Sequence, residues 1–170
     1  MILDCGCPGE YPDWHEQKID LSHHAAHVLP IATFLHMPLA YESYRQRQQF
    51  EIEQLDLKER WPGFALTRTG VLRGEIIRLI ENAESLSRHF KHLDGDFHLH
   101  GYLHEGGIGT IRNSIKEQQA QLLDNGEIPK EMYMSYLTCP RCCDKRGGER
   151  ILLLRRWKAS GRLANKISSR

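Results

Sequence analysis

Long apolar runs are missing from this chain. None approaches the roughly 20 residues that a membrane-spanning helix requires, so no span is expected. The start, MILDCGCPGEYPDW, carries an acid at Asp4 and no basic stretch ahead of an apolar one. That pattern does not fit a secretory signal, and a cytoplasmic location, where thiols stay reduced, is expected. Several catalytic signatures are also missing: G-x-S-x-G, a phosphate-binding loop, a dinucleotide fingerprint and H-E-x-x-H. No Glu is followed three residues later by His, which disfavours a four-helix di-iron carboxylate site. Low-complexity stretches and evident internal repeats are lacking too.

What remains is a globular composition. The chain has 170 residues, 40% apolar and 26% charged, which suffices for one domain with its own core. Charge is unevenly spread. Residues 1–138 hold 13 Lys/Arg against 20 Asp/Glu, while residues 139–170 hold 10 Lys/Arg against only Asp144 and Glu149. A basic C-terminal segment thus follows an acidic body. It either folds back on that body or meets an anionic partner.

Cysteine is scarce, at five residues, but it is grouped: Cys5-Gly-Cys7 near one end and Cys139-Pro-Arg-Cys142-Cys143 near the other. The turn in C-P-x-C aims two thiolates at one ion, and zinc takes four ligands tetrahedrally. TCPRC resembles the knuckle of a zinc ribbon. Cys5, Cys7, Cys139 and Cys142 are therefore expected to hold one zinc, with Cys143 outside the set. An iron–sulfur cluster is the alternative for such ligands.

Histidine is abundant, at ten. His23 and His27 would share a face if SHHAAH were helical, and His89 and His92 suit the end of a helix. The stronger group is HLHGYLHE. His98 and His100 would point one way on a strand, with His104 and Glu105 following a glycine turn. The H-x-H with a later Glu resembles the first metal motif of cupins, but no second motif follows and helices are expected around it. His98, His100 and His104 are candidate ligands for a second divalent metal (Zn, Fe or Mn), and Glu105 is a candidate catalytic carboxylate.

Pattern and propensity predict a mainly α chain. Residues 1–38, with Pro8, Pro12, Pro30 and Pro38, read as an irregular lead with a short helix near His23–Val28. Residues 39–138 read as a helical body. Its first helix runs from Leu39 to Arg60. A second, over Val71 to Lys91, places Leu72, Ile76, Leu79, Ile80, Ala83, Leu86 and Phe90 at steps of three and four. A third holds Ile108, Ile111, Ile115 and Leu122 and stops at Asp124-Asn125-Gly126. Residues 139–170 read as the zinc knuckle plus a basic segment. There ILLLRRW is either the return strand of a zinc hairpin or, as Leu, Arg and Lys favour, the start of a helix. The expectation is one small antiparallel helical bundle.

Three functions are compatible with these features. The first is a zinc-bound scaffold or subunit docking on an acidic protein partner or larger complex through its basic segment. The second is a metal-dependent hydrolase or oxygenase built on the histidine loop. The third is a zinc-ribbon-like nucleic-acid binder presenting Arg141, Lys145, Arg146, Arg155 and Arg156 to phosphates.

Overall fold

The computed structural model describes residues 1–81, 84–162 and 165. It overturns the helical bundle. Among the described residues the chain forms nine strands in one antiparallel sheet, with only two α-helices. The strands are β1 (Lys18–Asp20), β2 (Ala25–Phe34), β3 (Met37–Pro38), β4 (Leu66–Thr69), β5 (Arg73–Leu79), β6 (Phe90–His92), β7 (His98–Glu105), β8 (Glu127–Tyr136) and β9 (Arg150–Ala159). The helices are α1 (Tyr41–Gln54) and α2 (Arg112–Asp124).

Two of the three expected helices stand. α1 lies within the predicted Leu39–Arg60 segment, and α2 ends at the predicted Asp124 stop. The Val71–Lys91 helix does not form. Its apolar residues Ile76, Leu79 and Ile80 match a helical period, yet they lie on or beside β5. The reason is two-sided burial: Ile76, Ile77, Arg78, Leu79 and Ile80 are all buried, so the strand shows no alternation. Ala83, which also belonged to that expectation, lies outside the described residues. The helix expected near His23–Val28 is instead the start of β2. ILLLRRW is the strand β9, with Ile151 to Leu154 buried. Ala164, Lys166 and Ile167, where the expected basic helix would continue, lie outside the described residues.

The sheet order is β1-β7-β9-β8-β4-β5-β2-β3, with β6 also on β2. This order contains a repeat that the sequence hides. The units β2-α1-β4-β5 and β7-α2-β8-β9 each run strand, helix, strand, strand. In each unit the first strand pairs with the last, and the last with the middle one. The two units meet where Thr67 of β4 pairs with Met134 of β8, so one half is the other turned about that junction.

Both sheet faces are covered. Ala26, Val28, Ile77, Leu79, Leu152 and Leu154 form the main core with Phe64, Phe97 and Tyr133, and the N-terminal segment packs on it through Tyr11 and Trp14. Gly101, in mid-strand, lets that segment approach, because a Cβ there would collide with the Trp14 carbonyl. On the helix side Ile76 packs with Ile31 and Ala65, and Leu153 with Ile111 and Ile151. Pro30 is tolerated in β2 because the strand's outer edge is unpaired there, between β6 and β3.

Candidate functional site

The two cysteine groups meet although 132 positions separate Cys7 from Cys139 in the numbering. The Sγ atoms of Cys5, Cys7, Cys139 and Cys142 all lie within 4.8 Å of one another. Each group is shaped by a tight turn. Gly6, at φ 81°, takes the left-handed conformation that a side chain would resist, and Leu3 and Cys7 close the loop with an N–H to carbonyl bond of 2.9 Å. In the second group the Cys142 and Cys143 N–H groups both donate to the Cys139 carbonyl. The Cys139 N–H donates to Cys142 Sγ at 3.3 Å, and the two sulfurs are 3.9 Å apart. Zinc bonds of about 2.3 Å in a tetrahedron set sulfurs about 3.8 Å apart, so the donor set fits that ion.

Arginines strap the two turns together. Arg141 donates to the Cys5 carbonyl and Arg146 to the carbonyls of Pro8 and Leu137. Burial, together with the neighbouring thiols of Cys139, Cys5 and Cys142, pushes the Cys7 thiol far up. At Cys139 burial also pushes upward. The Arg141 backbone N–H and the other three thiols outweigh it and bring the group down to about 7. Cys143 turns away toward the Pro140 carbonyl and the Asp144 carboxylate.

Three of the four, Cys5, Cys7 and Cys139, line one wall of a cavity of about 530 Å³. The opposite wall is α1, with Arg45, Gln49, Phe50 and Glu53. Tyr41, Tyr136 and Ile151 close it on the sheet side. Arg45 bridges the walls by donating to the carbonyls of Gly6 and Gly63. Beneath lies a hydrogen-bonded chain. Arg78, 1% exposed, is ion-paired with buried Glu59 and donates to Gln49 Oε1 at 2.8 Å. Gln49 Nε2 in turn donates to the Glu53 carboxylate at 2.7 Å. Glu53 is thus held at the cavity surface by a rigid buried pair. Sequence reading missed this chain, since its members come from α1, β5 and the α1–β4 loop. A smaller hollow on the sheet is lined by Arg68, Glu75, Tyr133 and Arg156.

The histidine group is not brought together. His98, His100 and His104 share one side of β7, but six residues at about 3.3 Å each spread them over roughly 20 Å. The glycine turn expected between them is straight strand. His98 stacks on Trp157 and faces Asp20 at 3.5 Å. His100 is buried, and burial holds its pKa down. Both ring nitrogens of His104 are engaged: Nδ1 meets Ser114 Oγ at 2.8 Å, and Nε2 donates to the Gly107 carbonyl at 3.2 Å. Glu105 ends β7, opposite Arg150, and is exposed.

A different trio does converge. His27 Nε2 and His89 Nδ1 contact Glu51 Oε2 at 3.2 and 2.6 Å. Its ligand atoms lie close enough for an ion, but its hydrogens argue otherwise. The Gln48 amide nitrogen gives its two hydrogens to the carbonyls of His27 and Ile76 and cannot accept one, so His27 Nδ1, which faces it, carries no proton. The ring proton of His27 then sits on Nε2 and points at Glu51. Arg47 also donates to Glu51 at 2.9 Å. The carboxylate is therefore already compensated, and the trio is a clamp fastening α1 to β2.

The basic side chains of β9 are turned onto their own chain. Arg156 and Lys158 pair with Asp96, Arg150 donates to the Tyr11 hydroxyl, and Arg155 donates to the Lys130 carbonyl. No helix among the described residues is long and apolar enough to cross a membrane.

Comparison with known proteins adds three findings. A family model described as Bacterial hydrolase matches residues 3–156. No curated protein matches the chain. Two solved structures share the fold at 11% identity, and each is covered by 85% of this chain. The EcmrR C-terminal domain is matched over 96% of its length with a TM-score of 0.56. EcmrR in the EcmrR–DNA complex in EcmrR-RPo is matched over 56% of its length with a TM-score of 0.58.

Proposed function

The chain belongs to the bacterial hydrolase family, and on that premise we propose that its cavity binds a small organic molecule and hydrolyses it, with one structural zinc shaping the wall. The observation that carries this reading is the cysteine tetrad beside a cavity, with Cys5, Cys7 and Cys139 in its wall and Glu53 on the other side. A volume of about 530 Å³ lies in the range of small-molecule sites, and aromatic walls with a few converging polar groups suit one.

The zinc and the chemistry have separate roles. Four thiolates close a zinc site and leave no position for water, so the ion stabilises and does not catalyse. Water is instead activated by Glu53. Its carboxylate takes a proton from water as the oxygen attacks an electrophilic carbon of the bound molecule; the bond from that carbon to its leaving oxygen then breaks, and the proton held on Glu53 passes to that oxygen. Gln49 and Arg78 orient it from behind.

Elemental analysis tests the metal, and turnover of a panel of esters, lactones and epoxides tests the chemistry. Zinc bound at one per chain and activity lost in Glu53→Gln are expected. Protein free of zinc sinks the first part, and an unaffected Glu53→Gln sinks the second.

A second reading is a binding domain that holds its molecule without turnover; its support is the fold shared with the C-terminal domain of EcmrR, a protein also solved in complex with DNA and one that this chain spans only in part. Bound molecule recovered unchanged after long incubation would favour it. Docking on an acidic partner or on nucleic acid through the basic segment is weaker, because Arg150, Arg155, Arg156 and Lys158 already have partners within the chain.

A further inference from the structure

The β2–β3 hairpin turns through Leu35 and His36, both with left-handed backbone at φ 47° and 67°. Two-residue turns of that shape normally carry Asn-Gly, because a bulky side chain resists the conformation. Here the strained positions hold exposed side chains. The loop between β4 and β5 lies alongside: Leu35 and His36 donate their N–H groups to the carbonyls of Val71 and Gly70, and Thr33 donates to Leu72. The two loops make one knob. On it Phe34, Leu35, Met37, Leu39, Val71 and Leu72 are each more than half exposed.

Two further features define what fits there. Residues 28–40 and 69–74, which build the knob, contain no Asp or Glu, although the chain has 22; Glu42 and Glu75 flank them. Arg73 and the imidazole of His36 are exposed at its foot, and Arg68 is paired with Glu75. Neither cavity described above reaches the knob. Six such side chains present on the order of 600 Å² of apolar surface, at the top of the range for the largest patch on an ordinary monomer.

We propose that the knob is a membrane-surface contact, which sinks its apolar side chains into the headgroup boundary of an anionic bilayer and sets Arg73 and His36 against lipid phosphates. Apolar area joined to positive charge is what governs interfacial binding. A second copy of the chain fits less well. A two-fold pairing would join two copies of the same patch, each bringing Arg73 and neither bringing a carboxylate to offset the other's. The knob also falls short of the roughly 800 Å² that each partner gives a standard interface.

Co-sedimentation of the full chain with phosphatidylcholine vesicles, with and without phosphatidylglycerol, tests this. Binding is expected on the anionic vesicles and should weaken with salt. Leu35→Glu and Leu72→Glu should each reduce partitioning by roughly tenfold, the order expected for one withdrawn aliphatic side chain. Arg73→Gln should reduce binding and its salt dependence. Leu123→Glu, at an exposed leucine on α2, should leave partitioning unchanged. All four positions are exposed, so melting curves should match the parent and exclude misfolding. No partitioning to either vesicle, or equal loss with Leu123→Glu, overturns the proposal. So does a concentration-dependent dimer in light scattering that Leu35→Glu abolishes while vesicle binding persists.

Discussion

Gln48 of α1 and Gln118 of α2 hold equivalent places in the two halves. Each is fully buried. Gln48 donates to the carbonyls of His27 on β2 and Ile76 on β5, and Gln118 to those of His100 on β7 and Leu153 on β9. Four residues further on, Ile52 and Leu122 are both buried. The glutamine is thus the pin that fixes each helix on its own three strands. Replacing either by Leu removes two hydrogen bonds to buried carbonyls, each worth about 0.5–1.5 kcal/mol. Gln48→Leu and Gln118→Leu should each destabilise by roughly 1–3 kcal/mol in urea unfolding. A variant as stable as the parent would show that the pin is incidental.

This repeat was illegible in the sequence because only a few of its positions correspond, among them His27 with His100 and Gln48 with Gln118. The helices were legible because their outer faces meet water and their ends carry stop signals. The strands were not. β5 and β9 are covered on both faces, so Ile76–Ile80 and Ile151–Leu154 are continuously buried, apolar but for Arg78, and carry no period of two. Accidental spacing then made the stretch after Val71 resemble a helix. The cysteine groups were readable because each is a local turn whose residues are close in sequence. The Glu59–Arg78–Gln49–Glu53 chain had no local signal at all, since the fold alone assembles it.

The cysteine tetrad predicts a clear split among variants. Cys7→Ser and Cys139→Ser should lose zinc on elemental analysis, whereas Cys143→Ser should retain it, because Cys143 points at Pro140 and Asp144. Chelation should lower the melting temperature by roughly 10 °C, the shift that about 4 kcal/mol of lost binding energy gives in a chain of this size. Retention of metal by Cys139→Ser would remove the site.

The clamp at Glu51 predicts acid sensitivity. Burial is the largest influence on His27 and depresses its pKa below the ordinary 6.5, despite the opposing pull of Glu51. At Glu51 burial pushes upward, but the bonds from His89 and Arg47 prevail and hold the pKa below 4.5. Both groups are depressed in the folded state, so the unfolded chain takes up protons first as pH falls. Their stabilisation is complete above pH 6.5 and is lost from there downward, first through His27 and then through Glu51. Melting temperatures measured from pH 8 to pH 4 should fall below pH 6.5. His27→Gln should flatten the upper part of that decline, and an identical profile in the variant would assign it to other groups.

The C-terminal segment divides at the end of β9. Leu152, Leu153 and Leu154 are buried in mid-sheet between β7 and β8, while Gly161 and Arg162 are exposed. A chain ending at residue 160 should melt within a few degrees of the parent. One ending at residue 148 loses a central strand and several side chains worth roughly 1.5–3 kcal/mol each, and it should not fold. Circular dichroism of the two chains separates these outcomes. A stable, cooperatively melting 1–148 chain would contradict the packing described.

Arg78 and Glu59 give the sharpest test of how the cavity is supported. Both are buried, and each satisfies the other while also serving a neighbour: Arg78 donates to Gln49, and Glu59 accepts the Gly63 N–H at 2.8 Å. Burial pulls the Arg78 pKa down and Glu59 opposes that pull. Removing one partner leaves an uncompensated buried charge, which costs about 3–5 kcal/mol, whereas replacing both by apolar residues of similar size can be nearly neutral. Arg78→Met and Glu59→Met should therefore each destabilise strongly, and the double variant should recover most of the loss. Activity should behave differently. Arg78 orients Gln49 and, through it, Glu53, so turnover should stay low in the double variant even where stability returns. Urea melts and turnover numbers on the same four proteins distinguish the roles. If activity recovered in step with stability, the buried pair would be structural only, and the orientation of Glu53 would have to come from elsewhere.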